Sequence, residues 1–322
     1  MKKARLLGSV ADSTLGAPPP RDLHSHAREL ECGGLLVFPK TPFAFPQADQ
    51  NFLLNQKQSA GRHHKNIAYR PAEDRITGQA DGAAADTERL RAIMRDYSRR
   101  ATEFLANLLP AYATSWRLDF ASFRPQQEKG RQVRQRARND LLHIDSFPTR
   151  PTNGDLILRL FTNINPSEPR CWITSEPFEA LVKKYAGSPG FPRLEPLSAE
   201  SWRRVGRLLG RWAHSAGLPI VPRSPYDRFM LEFHHFLKEN EEFQATCPKQ
   251  HWNFPPGSTW IVLTDVVPHA ALSGQFALEQ TYLVARESLV LEDRCPASVL
   301  ERLCGGKLTH PDFARGPSRS AA

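Results

Sequence analysis

Three residues in this sequence have the types and spacing to hold a transition metal: the His-x-Asp pair His143 and Asp145, and a lone histidine far downstream, His269. In an extended strand, residues two apart point the same way, so His143 and Asp145 can offer an imidazole and a carboxylate to one point. A second imidazole completes a two-His-one-carboxylate facial set. Such a set leaves coordination positions open and suits oxygen chemistry at non-haem Fe(II). The bland reading is a hydrogen-bonded structural pair, since such triplets also arise by chance. His269 raises the metal reading because it follows a predicted strand and continues a mostly apolar face through Ile261, Leu263, Asp265 and Val267. His251 is the alternative distal ligand and ranks below, because it precedes that strand and its turn.

A fourth candidate is Arg159, in the run LILRLFTN (Leu156 to Asn163). At strand spacing Ile157, Arg159, Phe161 and Asn163 share one face. A guanidinium among such neighbours needs a partner, because an unpaired buried charge is very costly. A structural partner is an acid such as Glu279 or Asp265. A functional one is the distal carboxylate of 2-oxoglutarate, gripped by the arginine fork while Asn163 donates to the same molecule.

The elements that must position these residues are mostly short strands with bracing helices. Leu35 to Phe38 reads as an edge strand stopped by prolines, and Trp260 to Val267 and Ala277 to Arg286 as strands after a Pro256-Gly257 turn. Apolar residues from Leu90 to Leu108 recur at helical spacing and predict a helix from about Asp86 to Leu109, stopped by Pro110. Further helices are expected at Phe178 to Tyr185, after an N-cap at Ser198, and at Tyr226 to Phe243; the last should brace a sheet, with one of His234 and His235 packed and the other in solvent. Helices and strands do not alternate regularly, so a jelly-roll barrel of the cupin type, a double-stranded β-helix, fits better than a parallel α/β sheet. Residues 1–30 read as a flexible arm, 31–310 as one barrel domain with a helical insert at about 196–245, and 311–322 as a disordered tail.

The chain has 322 residues, of which 40% are hydrophobic and 24% charged, a balance that suits a folded chain rather than a disordered one. No run approaches the roughly 20 apolar residues of a membrane helix. Its five cysteines are widely spaced and never in a C-x-x-C pair, which argues against a disulfide framework and points to a reducing, cytoplasmic setting. A net charge of +9 favours an anionic partner. Part of it lies in FRPQQEKGRQVRQRARN, where Arg134, Arg136 and Arg138 would share one face if the run were a strand leading into His143. The bland reading of each is a solvated edge.

The segments LHIDSFPTRPTNGDLILRLFTNINPSEPRCW, SFRP (Ser122 to Pro125), KNIAYRP (Lys65 to Pro71) and PHAALSGQFALEQTYLV (Pro268 to Val284) together resemble the 3-deoxy-D-manno-oct-2-ulosonic acid (Kdo) hydroxylases of Gram-negative bacteria. The resemblance implies a double-stranded β-helix that uses Fe(II), 2-oxoglutarate and O2 to hydroxylate Kdo of the lipopolysaccharide inner core, Kdo-lipid A, at carbon 3. It implies His143, Asp145 and His269 as iron ligands, and Arg159 with Asn163 at the co-substrate. Where many 2-oxoglutarate enzymes carry the co-substrate arginine, after the distal histidine, this chain has Glu279 and Gln280. For the acidic sugar, Arg134, Arg136, Arg138 and Arg150 are the candidate contacts. An acidic lipid substrate also implies peripheral docking at the anionic inner membrane surface, with no nucleic-acid partner. Two alternatives stand beside this: an oxygenase acting on a protein side chain through the same iron site, and a basic nucleic-acid binder, which leaves the His and Asp residues without purpose.

Overall fold

The computed structural model describes residues 24–59, 66–196 and 223–309, and the backbone of residues 5 and 6. Its strands are β1 (Arg5–Leu6), β2 (Leu36–Phe38), β3 (Ile67–Arg70), β4 (Arg75–Thr77), β5 (Arg117–Arg124), β6 (Leu156–Asn163), β7 (Arg170–Thr174), β8 (Gln250–Phe254), β9 (Thr259–Leu263), β10 (His269–Ser273) and β11 (Ala277–Val284). They form a large sheet in the order β1-β2-β9-β6-β11-β5-β3-β4 and a small one in the order β10-β7-β8. All pairs are antiparallel except β1 with β2. A further bridge joins His143 to His269 and adds the His-x-Asp segment to the edge of the small sheet. Two antiparallel sheets face to face make the jelly roll that the short-strand pattern predicts.

The large sheet is covered on both sides, so its central strands have no solvent face. All eight residues of β11 are buried. This explains why Ala277 to Val284 does not alternate in sequence. Between the sheets lies one apolar cluster, with Phe161, Trp172, Phe254, Trp260 and Val262 at its centre. The outer face packs under helices, chiefly α3 below.

The helices are α1 (Ser25–Glu31), α2 (Gln47–Leu54), α3 (Ala84–Leu108), α4 (Pro110–Ala113), α5 (Phe178–Tyr185), α6 (Pro225–Glu239), α7 (Glu241–Thr246) and α8 (Pro296–Cys304). In α3 the stripe Leu90, Ile93, Met94, Tyr97, Ala101 and Leu105 is buried. Each large apolar side chain there contributes on the order of 2 kcal/mol. Tyr97 also reaches Thr162 on β6 at 3.2 Å and Thr102 reaches Tyr282 on β11 at 3.0 Å, which fixes the helix across the sheet. Helix α6 begins at a capping box in which Ser224 and Asp227 satisfy each other's backbone N–H groups, with proline at its first position.

Several expectations need correction. The segment read as a loose arm ends in α1, with Ala27 and Leu30 buried, and Arg5 and Leu6 pair with β2. The helix expected from Tyr226 to Phe243 breaks at Asn240, which caps α7 by accepting from the Phe243 N–H. The arginine run does not continue as a strand: β5 ends at Arg124, Pro125 and left-handed Gly130 follow, and only a turn of 3-10 helix forms at Gln135–Ala137. Arg134, Arg136 and Arg138 therefore share no sheet face. The helix expected after Ser198 and the tail from 311 lie outside the described residues.

Candidate metal centre and its cavity

His143 and His269 are tied backbone to backbone: the His143 N–H donates to the His269 carbonyl at 3.2 Å, and the His269 N–H donates back at 2.9 Å. Asp145 follows two residues on, its N–H held by the Thr264 carbonyl at 2.8 Å. The three side chains then converge. His143 Nε2 lies 3.8 Å from Asp145 Oδ1 and His269 Nε2 lies 3.8 Å from Asp145 Oδ2, and one ligand atom from each residue lies within 4.8 Å of the others.

The donor set fits a divalent cation on three counts. Both histidines turn Nδ1 to a backbone carbonyl, that of Leu141 at 2.7 Å and that of Val267 at 3.3 Å, so Nδ1–H donates and the Nε2 lone pair is free for a metal. Burial, with Lys238 and the neighbouring histidines, holds His143 well below its ordinary value, and burial also lowers His269, so both stay neutral as ligands must. Burial opposes the charge on Asp145, but Arg159, His269 and His143 outweigh it and hold the carboxyl far below the usual range. Its Oδ2 has no hydrogen-bond donor. A buried carboxylate whose Oδ2 takes no hydrogen bond and has only the charge of Arg159 nearby, set between two neutral imidazoles, is what a 2+ ion would complete.

The triad opens into a cavity of about 320 Å³ lined also by Arg124, Arg159, Arg170, Phe161 and Trp172 from the strands, Phe147 from the loop after Asp145, and His234, His235 and Lys238 from α6. Trp172 stacks on the His269 ring at 5.2 Å, and His234 meets the His143 ring edge at 5.0 Å while its Nδ1 reaches the Ile144 carbonyl at 2.6 Å. Thus both α6 histidines face the cavity. They do so unequally, in line with the expected division: His234 is packed against His143 and the Ile144 carbonyl, whereas His235 is the more open of the two.

Arg159 lies on this wall, 11% exposed, and its partners are acidic: Nε is 3.3 Å from Asp145 Oδ2 and one terminal nitrogen is 3.1 Å from Glu279. Of the two structural partners that spacing allowed, Glu279 is the one used. Asp265 instead accepts from the Ile157 N–H, and burial pushes its carboxyl up to about 7. Glu279 also takes Arg124, at 2.9 and 2.5 Å. Arg170 is 1% exposed and pairs with the buried Glu128 at 2.9 Å and with the Gly274 carbonyl at 3.1 Å. Gly274 adopts φ +122°, and a Cβ there would meet Arg170 Cγ at 2.6 Å, so this turn needs glycine to admit the arginine.

Of the other candidates only Arg136 lines the cavity. Asn163 is fully buried, donates to the carbonyls of Glu168 and Phe254 and accepts from the Asn165 N–H. It fastens the end of β6 and has nothing left for a co-substrate. His251 is exposed on β8. Arg138 pairs with Asp140 at 2.6 Å, Arg136 with Glu239 at 2.5 Å while lining the cavity mouth, and Arg134 is exposed. Arg150 pairs with Asp119 at 3.0 Å and lies over Phe120 and Phe147. Missing from the sequence reading were Arg170, Trp172, Glu128 and the α6 residues. Arg170 and Trp172 carry the signal that singled out Arg159, a lone arginine two residues from an aromatic in a strand.

Two rolled sheets with a His-Asp-His triad between them, facing a cavity walled by arginine, define the class of non-haem iron, 2-oxoglutarate-dependent dioxygenases. Comparison with protein families matches residues 17–307 to the family described as 3-deoxy-D-manno-oct-2-ulosonic acid (Kdo) hydroxylase. Among solved structures, the chain is similar to the apo Kdo hydroxylase KdoO, a non-haem Fe(II) α-ketoglutarate-dependent dioxygenase, at 33% identity and a TM-score of 0.77, over 94% of this chain and 97% of that one. Structures of KdoO with α-ketoglutarate and Fe(III) (33% identity, TM-score 0.75, 94% and 97% covered) and with cobalt(II) (33%, 0.77, 98% and 99%) are similar to it as well. A search of curated proteins finds no match. This chain belongs to the Kdo hydroxylase family.

Proposed function

We propose that this protein hydroxylates the Kdo sugar of Kdo-lipid A at carbon 3, with His143, Asp145 and His269 as the iron ligands and Arg159 as an anchor for 2-oxoglutarate. The observation that carries the reading is the joining, in one cavity, of the triad with three arginines that end on buried carboxylates. Bound at the triad, Fe(II) supplies an oxidative hydroxylation in which 2-oxoglutarate and O2 yield succinate, CO2 and a hydroxyl group on the substrate.

The chain's own residues do the rest. Two neutral imidazoles and one carboxylate, from His143, His269 and Asp145, would hold the ion through three donor atoms on the cavity side. Arg124, Arg159 and Arg170 present guanidinium groups suited to carboxylates, in surroundings dry enough to make such contacts strong. Trp172, Phe161 and Phe147 keep water from the reacting centre. Helix α6 closes the opposite wall, where His234, His235 and the buried Lys238 line the cavity.

Among the described residues no helix is long and apolar enough to cross a membrane. We place the protein in the cytoplasm, docked peripherally on the inner membrane through the basic loop around Arg134 and Arg136, where Val133 is also exposed. The test is succinate release from 2-oxoglutarate with Fe(II), with and without Kdo-lipid A, followed by mass spectrometry of the product. A gain of one oxygen on the Kdo portion supports the proposal; release that Kdo-lipid A does not stimulate, with no oxygen gained, overturns it.

A further inference from the structure

The three arginines on the cavity wall do not stand alone. Arg159 bridges Asp145 and Glu279; Glu279 takes Arg159 through one oxygen and Arg124 through the other; Arg124 lies 3.9 Å from Glu128, which holds Arg170. The result is an alternating ladder, Asp145–Arg159–Glu279–Arg124–Glu128–Arg170, running from the triad to the turn at Gly274. Its arginines line the cavity, whereas Glu279 and Glu128 do not. Both glutamates are buried behind them, and each is fixed in turn: Thr281 donates to Glu279 at 3.0 Å, and Asn139 donates to Glu128 at 3.1 Å.

The geometry points to Glu279 and Glu128 as positioning residues that set the direction and reach of the cavity arginines toward an anionic co-substrate they do not touch. This rests on the functional reading above. A long, flexible arginine pays side-chain entropy to be held in one geometry, and a carboxylate clamped from behind meets that cost before the ligand arrives. Glu279 has the larger role, because it joins two arginines on neighbouring strands. Arg124 on β5 and Arg159 on β6 flank β11, which carries Glu279 between them.

A through-space role and a positioning role predict opposite signs. Glu279→Gln removes a negative charge near the binding site, so electrostatics alone would tighten an anion, whereas loss of aim weakens it. The measurement is the dissociation constant of 2-oxoglutarate, by calorimetry on the full-length protein loaded with Co(II), which removes turnover from the readout. We expect Glu279→Gln to weaken binding about tenfold or more, the worth of one charged hydrogen bond, with Co(II) affinity retained. Thr281→Val keeps every charge and removes only the hydrogen bond that holds Glu279, and it should weaken binding about threefold. Should Glu279→Gln fail to fold, Thr281→Val decides. Unchanged or tighter binding in the folded variants overturns the positioning role alone, whereas a wild-type protein that does not bind 2-oxoglutarate overturns the functional reading and this proposal with it.

Discussion

Arg124, Arg159 and Arg170 stand on strands and end on carboxylates that are themselves buried or nearly so; Arg134, Arg136 and Arg138 stand in the loop after β5 and end on exposed acids or in solvent. The two sets come within ten residues of each other, at Arg124 and Arg134, and follow different physics. An exposed pair contributes roughly 0 to 1 kcal/mol and is screened by salt. Breaking a buried pair leaves an uncompensated charge at a cost of about 3 to 5 kcal/mol. Arginine content alone therefore says little; what matters is whether a barrel strand carries the residue inward.

The strongest test of the contrast is at the ladder's metal end. Asp145→Ala removes the triad's charged ligand and one partner of Arg159 without deleting a large apolar group. It should abolish turnover and weaken Co(II) binding, while circular dichroism shows the fold retained; wild-type turnover would mean the metal site is elsewhere. Arg170→Met takes from the buried Glu128 its nearest guanidinium and leaves it Arg131 at 3.3 Å and the Asn139 amide, so it should lower stability by up to about 3 kcal/mol in denaturant unfolding. Arg159→Met should raise the KM for 2-oxoglutarate, with a transition-state loss of about 2 to 5 kcal/mol, and change Co(II) affinity little. If that variant binds 2-oxoglutarate normally but unfolds more easily, Arg159 serves only its ion pairs.

Acidity sharpens the same contrast. Burial lowers His143 and His269, so their neutral forms survive to lower pH than free imidazole, which gains protons around 6.5. Two exposed histidines would lose roughly tenfold in metal affinity between pH 7.5 and 6 through proton competition. Here Co(II) affinity should fall less than about threefold over that range, measured by titration at each pH. The smallest effect belongs to the outer set: Arg136→Ala should change stability by less than about 1 kcal/mol. Binding to acidic vesicles, by contrast, should weaken steeply with salt when Arg134, Arg136 and Arg138 are intact. Salt-insensitive binding would point to an apolar patch.

Much of this architecture was open to sequence reasoning where the signal is local. Period two places His143 with Asp145 and isolates Arg159 on an inward face, and period 3.6 marks α3 and α6. What escaped depends on contacts distant in sequence. Glu279 reads as a misfit at the position of an expected arginine until β5 and β6 are seen on either side of β11. Asn163 shares the parity of Arg159, but the carbonyls of Glu168 and Phe254 take both hydrogens of its side-chain amide. The basic run admits a strand because Arg134, Arg136 and Arg138 recur at even spacing, but Pro125 and Gly130 end β5 and the bland reading of a solvated edge is the one that holds. Helix α6 was legible as a helix, whereas the side it shows to the cavity is fixed by the His234 contact with the Ile144 carbonyl, 90 residues away.

The reciprocal backbone hydrogen bonds between His143 and His269 make the metal a proofreader of strand alignment. A slip of one residue at that bridge would turn one imidazole to the opposite face and dissolve the site. An ion that binds only the aligned arrangement withdraws it from the pool of misaligned ones, by mass action. A metal ion supplied during folding would thus also act as a template, and a chain that closed its sheets one step out of phase would be left without the site that holds it.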